Sequence, residues 1–527
     1  MDKELHIKIA SVNKDILAAK GDNLYWVLAT AGLFDAPCGG QGRCAKCKVR
    51  FISKPPLAHK HEQALLNAEH LQAGWRLSCL HEVTRDIEIE LVPITADWAK
   101  ELFGNEMIFL PPIEKKADVG KGVGVAIDIG TTTLAAVLIE LSSGRLLAST
   151  ASLNSQKAYG QDVISRISYA TADGGLQQLQ KAVIEDIKYL LYELCKTSGI
   201  KPQAISFVTI AANPTMIHLL AGVDPTPLGS APYSLSLRGP LKFFASQFGL
   251  PLKNEALLYC VPAVAAYVGG DTVSGLIALD MDTSASSQIL LDIGTNGEIA
   301  LSHKGEIYAC STALGPALEG MNISCGMRAT NGAVAEVTIQ EDKVLYRTIG
   351  NLPPLGLAGS GLISAISALI NAGLLNQNGR LLLRYPLIQE KGQRYLLIEE
   401  SAQLMLTQKD IRQMQLAKAA LCAGLETLLK QASCSSKAVD KLWVAGAFGR
   451  HLKAQDLLST GIVPPEFCDK IHYAGNTALY GACLALLSPK ARQRAEILAE
   501  KIQCIELATL REYQQRFLQA IKFPGGL

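Results

Sequence analysis

The sequence predicts a multidomain α/β protein, in which a small α+β domain precedes a larger α/β unit with a duplicated hairpin. Three observations support this fold class. The chain has 527 residues, which is enough for two to four domains of ordinary size. Of its 13 cysteines, four lie within the first 79 residues, and three of those are closely spaced. A strand-like segment that contains Asp-Ile-Gly-Thr occurs twice, with its aspartate at Asp128 and again at Asp292.

The composition argues against several classes of protein. With 49% hydrophobic and 19% charged residues, the chain is not expected to be disordered, and its net charge of +2 argues against a nucleic-acid binder. No apolar run reaches the roughly 18 residues of a membrane span. The first ten residues carry charges of both signs and have no apolar core of a secretory signal. We therefore expect a cytoplasmic protein with neither a nucleic-acid partner nor a membrane partner.

The first four cysteines are predicted to hold a [2Fe–2S] cluster. Five residues separate Cys38 from Cys44, two separate Cys44 from Cys47, and Cys79 follows at a distance. Three close thiolates with a distant fourth are typical of [2Fe–2S] ferredoxins. A four-cysteine zinc site is the alternative, although zinc sites normally use two similar CxxC segments. The other nine cysteines lie mostly in apolar stretches and are expected to be small core residues.

Residues 1–92 have the pattern of a β-grasp ferredoxin domain. The predicted elements are strands at 5–11 and 15–19, a helix near 23–31, a strand at 48–52, a helix near 60–68 and a strand at 86–92. Three histidines, His61, His70 and His81, are expected on the surface of this domain, since four cysteines already complete the metal site. Prolines and a polar run then predict a linker over residues 93–121.

Two similar hairpins are predicted to hold the phosphates of a nucleotide. In each, an apolar strand leads through Asp-Ile-Gly-Thr into a second strand. A glycine turn lets backbone N–H groups and Thr hydroxyls reach phosphate oxygens. Asp128 and Asp292 can hold hydrated Mg²⁺. The predicted phosphate-binding residues are Gly130, Thr131, Thr132, Thr133, Gly294, Thr295, Asn296 and Gly297. Two ordinary Asp-Gly turns are the alternative.

The paired hairpins resemble the phosphate motifs of the ASKHA superfamily, which includes acetate and sugar kinases, Hsp70 and actin. The resemblance implies an ATPase with two RNase H-like lobes that close on Mg-ATP, here residues 122–286 and 287–527. By similarity to sugar kinases, Asp271 is the candidate general base for a water molecule, with a simple helix N-cap as the alternative reading. The residues that resemble the adenosine motif and the helix after it are Gly446, Ala447, Phe448, Gly449, Gly475 and Asn476.

A [2Fe–2S] domain joined to an ASKHA ATPase resembles the reductive activators of corrinoid proteins, over nearly the whole chain. Further matching stretches lie at 154–156, 159–167, 315–320, 323–329 and 356–363. The family uses ATP to return one electron to a corrinoid protein inactivated as Co(II), restoring Co(I) for methyl transfer. The resemblance implies a partner from a methyltransferase or O-demethylase system, an external low-potential electron donor and a homodimer.

Other functions remain open at the level of sequence. The chain could be an ATP-gated electron donor to another low-potential metalloenzyme, or a small-molecule ASKHA kinase with an appended ferredoxin domain. A scaffold or chaperone-like ATPase with a structural cluster is a third reading. Cys325 fits either a thiol that contacts the corrinoid partner or a packed turn residue.

Overall fold

The computed structural model describes residues 4–10, 14–30, 40, 42, 45, 47–91, 122–341, 343–390, 392–446 and 452–524. The predicted linker, Cys38, Cys44 and the adenosine-motif residues 447–449 lie outside these ranges, so those predictions remain predictions. Among the helices of the described ranges, none is long and apolar enough to cross a membrane.

The N-terminal domain is a twisted five-stranded sheet with a helix packed on one face. Its elements are β1 (Leu5–Ile9), β2 (Lys14–Ala18), α1 (Leu24–Thr30), β3 (Lys48–Phe51), α2 (Lys60–Leu65), α3 (Ala68–Gln72), β4 (Trp75–Leu77) and β5 (Ile87–Leu91). The strand order is β2-β1-β5-β3-β4, with β1 parallel to β5. The side chains of Leu24 and Leu28 are buried against Ile7 and Ile89. This arrangement confirms the predicted β-grasp ferredoxin fold.

The next lobe, called the N-lobe, is built on a six-stranded mixed sheet. Its elements are β6 (Val123–Ile129), β7 (Thr133–Glu140), β8 (Arg145–Leu153), α4 (Val163–Ala170), α5 (Gly175–Ser198), β9 (Ile205–Ala212), α6 (Pro214–Ala221), β10 (Leu241–Phe244), β11 (Leu257–Cys260) and α7 (Gly270–Ala278). The order is β10-β11-β9-β6-β7-β8, in which β6, β7 and β8 form an antiparallel meander and β9 runs parallel to β6.

The second lobe, called the C-lobe, repeats this pattern and adds two small sheets. Its elements are β12 (Gln288–Ile293), β13 (Asn296–His303), β14 (Glu306–Ala313), β15 (Ala333–Gln340), β16 (Lys343–Thr348), β17 (Gly356–Leu357), α8 (Gly359–Asn371), β18 (Leu387–Glu390), β19 (Gln393–Glu399), β20 (Leu404–Thr407), α9 (Gln408–Gln431), β21 (Lys441–Ala445), α10 (Ala454–Thr460), β22 (Ile471–Gly475), α11 (Thr477–Leu487), α12 (Pro489–Lys501), β23 (Gln503–Cys504) and α13 (Arg511–Ala520). The main sheet has the order β22-β21-β12-β13-β14-β23, and β21 runs parallel to β12.

Both large sheets therefore have the RNase H-like order that the resemblance implies: an antiparallel meander of three strands, whose first strand also pairs with a parallel strand. The smaller sheets are β16-β15-β17 and β18-β19-β20. In each lobe this topology brings the turn of the Asp-Ile-Gly-Thr hairpin beside the carboxyl end of a parallel strand. Ligands of open α/β sheets bind at that edge.

Helix α11 joins the two lobes. It follows the last long strand of the C-lobe in sequence, yet it packs on the N-lobe sheet and on α7. The Thr209 hydroxyl of β9 donates a hydrogen bond to the Ala482 carbonyl of α11 at 2.8 Å. Gly481 approaches the Ser274 backbone so closely that a Cβ at position 481 would lie 2.1 Å from the Ser274 carbonyl oxygen. A side chain larger than hydrogen would push the lobes apart.

Most of the nine cysteines outside the candidate cluster site are buried, and Cys468 is the exposed one among them. Burial raises the pKa of the Cys260 thiol to about 12, so it stays protonated and behaves as a small apolar residue. Cys325 is 1% exposed, and its thiol donates a hydrogen bond to the Met405 carbonyl at 3.0 Å. These contacts favour the packed turn residue over the reactive thiol.

Candidate functional site

A cavity of about 220 Å³ lies between the turns of the two hairpins. Most of the residues predicted from sequence line it: Asp128, Gly130, Thr131, Thr132, Thr133, Asp271, Asp292, Gly294, Thr295, Asn296, Gly446 and Asn476. Gly297 and Gly475 do not. The Gly297 backbone instead packs against α9, where a Cβ would lie 2.6 Å from the Leu421 side chain. The Gly475 carbonyl accepts a hydrogen bond from the Gly446 N–H at 3.1 Å.

The two turns are similar, although the first is one residue longer. Residues 130–132 separate β6 from β7, whereas residues 294–295 separate β12 from β13. In both, the glycine N–H donates to the carbonyl that begins the next strand: Gly130 to Thr133 and Gly294 to Asn296, each at 2.9 Å. The hydroxyls of the intervening threonines remain at the cavity wall. They are therefore placed to donate to an anion.

The carbonyl groups of the first turn accept hydrogen bonds from Asn154 and Arg166. The Asn154 side-chain amide donates to the Gly130 carbonyl at 2.8 Å, and the Asn154 N–H donates to the Thr132 carbonyl at 3.0 Å. Arg166, fully buried on α4, donates to the Thr131 carbonyl at 2.5 Å. Burial lowers the pKa of Arg166 to about 9, which still leaves it protonated at neutral pH. The carbonyl oxygens thus have partners outside the cavity, which favours an anion on the other side of the turn.

The two hairpins meet at one carboxylate. The Thr132 hydroxyl donates to Oε2 of Glu319 at 3.0 Å, and the Thr295 hydroxyl donates to Oε1 at 2.5 Å. The two hydroxyl oxygens are themselves 3.0 Å apart. Burial raises the pKa of Glu319, and these two hydrogen bonds oppose that rise. Glu319 therefore connects the hairpin turns of both lobes.

Four further carboxylates, from Asp128, Asp271, Asp292 and Glu298, face the same cavity. Burial and mutual repulsion raise the pKa of Asp128 and of Asp292 to about 7, and the pKa of Glu298 well above its usual range. Asp292 and Glu298 are directly opposite each other on β12 and β13, where like charges destabilise a sheet. Such a cluster is strained when it is ionised, and a bound cation would relieve the strain.

Asp271 lies in the first turn of α7 but is not its N-cap residue, which is Gly269. The reading of Asp271 as an N-cap is therefore wrong in detail. Its carboxylate nevertheless accepts the Thr272 N–H at 2.7 Å. Burial raises the pKa of Asp271 to about 6, close to the range in which a carboxylate acts as a general base at neutral pH.

Two further residues that line the cavity, Asn476 and Gly446, belong to the C-lobe. Asn476, directly after β22, caps α11 and donates its side-chain amide to Oδ2 of Asp128 at 2.8 Å, which links the C-lobe to the first hairpin. Gly446 has φ +97°, and a Cβ there would lie 2.6 Å from the Ile293 carbonyl oxygen. Position 446 therefore requires glycine, because of its positive φ and because a Cβ would clash with the Ile293 carbonyl.

In the N-terminal domain, the two described cysteines of the predicted cluster converge. The sulfurs of Cys47 and Cys79 lie 3.1 Å apart, and the two residues are 0% and 7% exposed. Two buried thiols this close, brought together from separate segments, fit a site that binds iron through thiolates. The cluster face, defined here as Tyr25, Cys47, Leu77 and Cys79, packs in one apolar cluster with Met327, Ala333 and Ala358 of the C-lobe.

The expectation that His81 lies on the surface is wrong. His81 is 9% exposed, and its Nε2 lies 2.6 Å from Oε2 of the buried Glu62. Arg76 approaches the other oxygen of the same carboxylate at 3.6 Å. Glu62 is the only acidic residue of the short polar helix α2, and nothing in the sequence indicated that Glu62 and His81 are buried together. His61 and His70 are exposed, as predicted.

Sequence reasoning missed several residues of the cavity wall: Asn213, Glu298, Glu319, Arg328 and Ala329. The sequence did contain a signal for Glu298, since it is the only acidic residue of the strand that follows the second turn. Glu319 and Arg328 lay in stretches that match the family, but no local pattern indicated a role for them. Asn213 caps α6 and donates to the Thr131 hydroxyl at 3.0 Å, a contact between residues distant in sequence.

Comparisons with known proteins agree with this geometry. Family models match three parts of the chain: a 2Fe-2S iron-sulfur cluster binding domain at 7–84, the RACo middle region at 123–284, and the C-terminal domain of RACo, the ASKHA domain, at 286–526. A corrinoid activation enzyme, RamQ, of Eubacterium limosum is 32% identical over 442 residues, which cover 80% of this chain and 74% of that protein.

Two more proteins extend the comparison. A Co(II) methylated amine-specific corrinoid protein reductase of Methanosarcina barkeri is 23% identical over 438 residues, covering 76% of this chain and 77% of that protein. A solved structure titled as a reductive activator for a corrinoid, iron-sulfur protein matches with a TM-score of 0.72 and 27% identity, and covers 99% of both chains. With a [2Fe–2S]-type domain, two RNase H-like lobes and these relatives, the chain belongs to the family of reductive activators of corrinoid proteins.

Proposed function

We propose that this chain transfers one electron to a corrinoid protein whose cobalt has been oxidised to Co(II), and that ATP drives this transfer. The observation that carries the proposal is the packing of the cluster face, with Cys47 and Cys79, against the lobe whose hairpin turn lines the carboxylate cavity. This packing supports a coupling between the proposed redox site and the proposed nucleotide site. The relatives are named for their action on corrinoid proteins, which supports a corrinoid protein as the partner; its origin in a methyltransferase or O-demethylase system rests on the family resemblance.

The thiolates of Cys38, Cys44, Cys47 and Cys79 would hold the [2Fe–2S] cluster. When bound, the cluster supplies one electron at a potential of around −400 mV if it behaves as a plant-type ferredoxin. For a one-electron couple, each ~59 mV of unfavourable potential lowers the equilibrium constant about tenfold. A Co(II)/Co(I) couple that lies lower therefore needs a second source of free energy. Binding of ATP can supply it if the protein binds its partner differently in its two nucleotide states.

The carboxylates of Asp128, Asp292 and Glu298 would hold Mg²⁺ of Mg-ATP through water. In the described ranges, no three acidic, His or Cys side chains are grouped closely enough to ligate a metal ion directly. Mg²⁺ usually keeps several of its waters, so a wider ring of carboxylates suits it. The hydroxyls of Thr132 and Thr295 would donate to phosphate oxygens, and Asp271 would take the proton of the attacking water.

We further propose that the protein works in the cytoplasm as a homodimer and that a separate low-potential donor reduces it again after each transfer. The cytoplasm is proposed because a reducing compartment keeps 13 cysteines from forming disulfides. The dimer and the donor rest on the family resemblance.

Two measurements test the proposal. The EPR spectrum of the anaerobically reduced protein should be that of a [2Fe–2S] centre, and the spectrum of a different cluster type would contradict it. The second is the formation of Co(I) by the Asp128→Ala variant, with Asp173→Ala as a control because Asp173 is exposed. Asp128→Ala should lose ATP-dependent reduction while the control keeps it. Intact ATP-dependent reduction by Asp128→Ala would refute the proposed nucleotide site.

A further inference from the structure

Glu319 lines the nucleotide cavity but has no role in the proposed reaction. Its carboxylate accepts the hydroxyls of Thr132, in the N-lobe, and of Thr295, in the C-lobe. A Thr hydroxyl has only one hydrogen to donate. Because both hydroxyls are also expected to donate to phosphate oxygens, they cannot serve Glu319 and the nucleotide together. Phosphate binding therefore has to release Glu319 from at least one of its partners.

Gly320, the residue after Glu319, packs closely against the backbone of residues 326–327 in the C-lobe. Gly320 has φ +77°, and a Cβ at this position would lie 2.0 Å from the Met327 carbonyl oxygen. In the other direction, a Cβ on Gly326 would lie 2.0 Å from the Gly320 carbonyl oxygen. The two backbones thus pack face to face with no spare room. A movement of Glu319 that shifts the Gly320 backbone must also shift residues 326–327.

Residues 326–329 lie between the cavity and the cluster face. Arg328 and Ala329 line the cavity. Met327 is 1% exposed and belongs to the same apolar cluster as Cys47 and Cys79 of the N-terminal domain. Ala329 is half-buried against that cluster as well. One short segment of the C-lobe, called the 326–329 segment below, therefore contacts both the nucleotide cavity and the domain that carries the cysteines.

We propose that Glu319 is a positioning residue through which the nucleotide phosphates control how tightly the C-lobe holds the cluster face. Without nucleotide, Glu319 is hydrogen-bonded to both turns, Gly320 is fixed against Met327, and the cluster face stays packed on the 326–329 segment. With nucleotide, the phosphates take the two hydroxyls and repel the carboxylate. Glu319 and Gly320 then shift, and the C-lobe releases the cluster face.

This inference rests on the proposed nucleotide site, and it adds a reason for ATP to be required. Cys47 and Cys79 are buried and share an apolar cluster with the C-lobe, so this packing obstructs the approach of an electron acceptor from that side. Release of the cluster face on ATP binding would let a large partner protein reach it. A coupling of this kind between two sites typically changes an equilibrium by about 5- to 150-fold.

The test is hydrogen exchange of the full-length, cluster-loaded protein, with and without a non-hydrolysable ATP analogue and Mg²⁺. In the wild type we expect the analogue to speed amide exchange at residues 76–81 and 326–333 by about tenfold, within the usual range of coupling. Glu319→Gln keeps the size of the side chain but removes the charge that phosphate repels. This variant should bind the analogue at least as tightly as the wild type does, as measured by calorimetry. The analogue-dependent increase in amide exchange should largely disappear. Glu400→Gln, an exposed site in the same lobe, is the matched control and should behave as the wild type.

A second variant acts from the other side of the segment. Met327→Ala removes apolar contact with the cluster face without touching the phosphate turns, so exchange at residues 76–81 should be fast even without nucleotide. The inference is overturned if Glu319→Gln retains the full analogue-dependent change, or if the wild type binds the analogue without any change at these residues. If the wild type shows the analogue-dependent change in exchange but does not reduce Co(II), the proposed function is refuted and the coupling through Glu319 still stands.

Discussion

The crowded carboxylates of the cavity predict that removing one of them stabilises the nucleotide-free protein. Asp292 is the best choice, since burial and the neighbouring Asp271 raise its pKa from 3.8 to about 7. Each pKa unit corresponds to about 1.4 kcal/mol, so the ionised carboxylate costs at most about 4 kcal/mol of folding free energy. Asp292→Asn removes this cost. For a lobe of this size, about 1 kcal/mol changes Tm by about 2–4 °C, so a rise of about 5 °C or more is expected at pH 8.

The stability difference between Asp292→Asn and the wild type should depend on pH. A carboxylate whose pKa is raised on folding destabilises the protein above its folded pKa, near 7, and the effect disappears as the pH falls toward its unfolded value of 3.8. The wild type should therefore gain stability relative to Asp292→Asn as the pH is lowered from 8 to 5. Calorimetric scans without nucleotide or Mg²⁺ measure this, with Asp173→Asn as the exposed control. An Asp292→Asn protein that is less stable than the wild type at pH 8, or whose advantage does not shrink at pH 5, would refute the reasoning.

Three further predictions concern activity. Cys79→Ser should abolish the visible absorption of the [2Fe–2S] cluster while nucleotide binding persists, whereas Cys468→Ser, at an exposed thiol, should change neither; equal spectra for the two variants would contradict the ligand assignment. Asp271→Asn should lower kcat for ATP hydrolysis by about 10²–10⁴-fold, as loss of a general base does, with little change in nucleotide affinity; an unchanged kcat would remove Asp271 from that role. Asn154→Ala loses its side-chain hydrogen bond to the Gly130 carbonyl but keeps the backbone bond to Thr132, and should raise the Kd for ATP about fivefold at roughly 1 kcal/mol for one bond; an unchanged Kd in calorimetry would show that the turn is held without that side chain.

Local patterns in the sequence were enough to predict the parts of the site that are local in sequence. Both Asp-Ile-Gly-Thr turns and their flanking strands follow from a repeated apolar segment, and the two lobes follow from the resemblance that this repeat supports. The structure brings residues of both turns to one cavity. Strand β4 was missed because three residues are too few for an alternating pattern. The predicted helix at 60–68 is instead two short helices, since the Asn67 side chain caps a new helix by accepting the His70 N–H.

Contacts between distant residues could not be read from one sequence. Thr132 and Glu319 are hydrogen-bonded although they are 187 residues apart, and no periodicity links them. The same is true of Arg166, which is fully buried behind the first turn and donates to the Thr131 carbonyl, 35 residues away in sequence. The packing of Met327 on the cluster face depends on how two domains meet, which secondary-structure patterns do not specify.

The most direct test of the central claim is an anaerobic absorption measurement. The cluster-loaded protein is mixed with a low-potential reductant and a corrinoid protein held as Co(II), and the Co(I) band is followed with and without Mg-ATP. The account predicts that Co(I) forms when Mg-ATP is present and forms at most slowly when it is omitted. Equal formation of Co(I) with and without Mg-ATP would contradict the claim that the two-lobed nucleotide site drives the electron transfer.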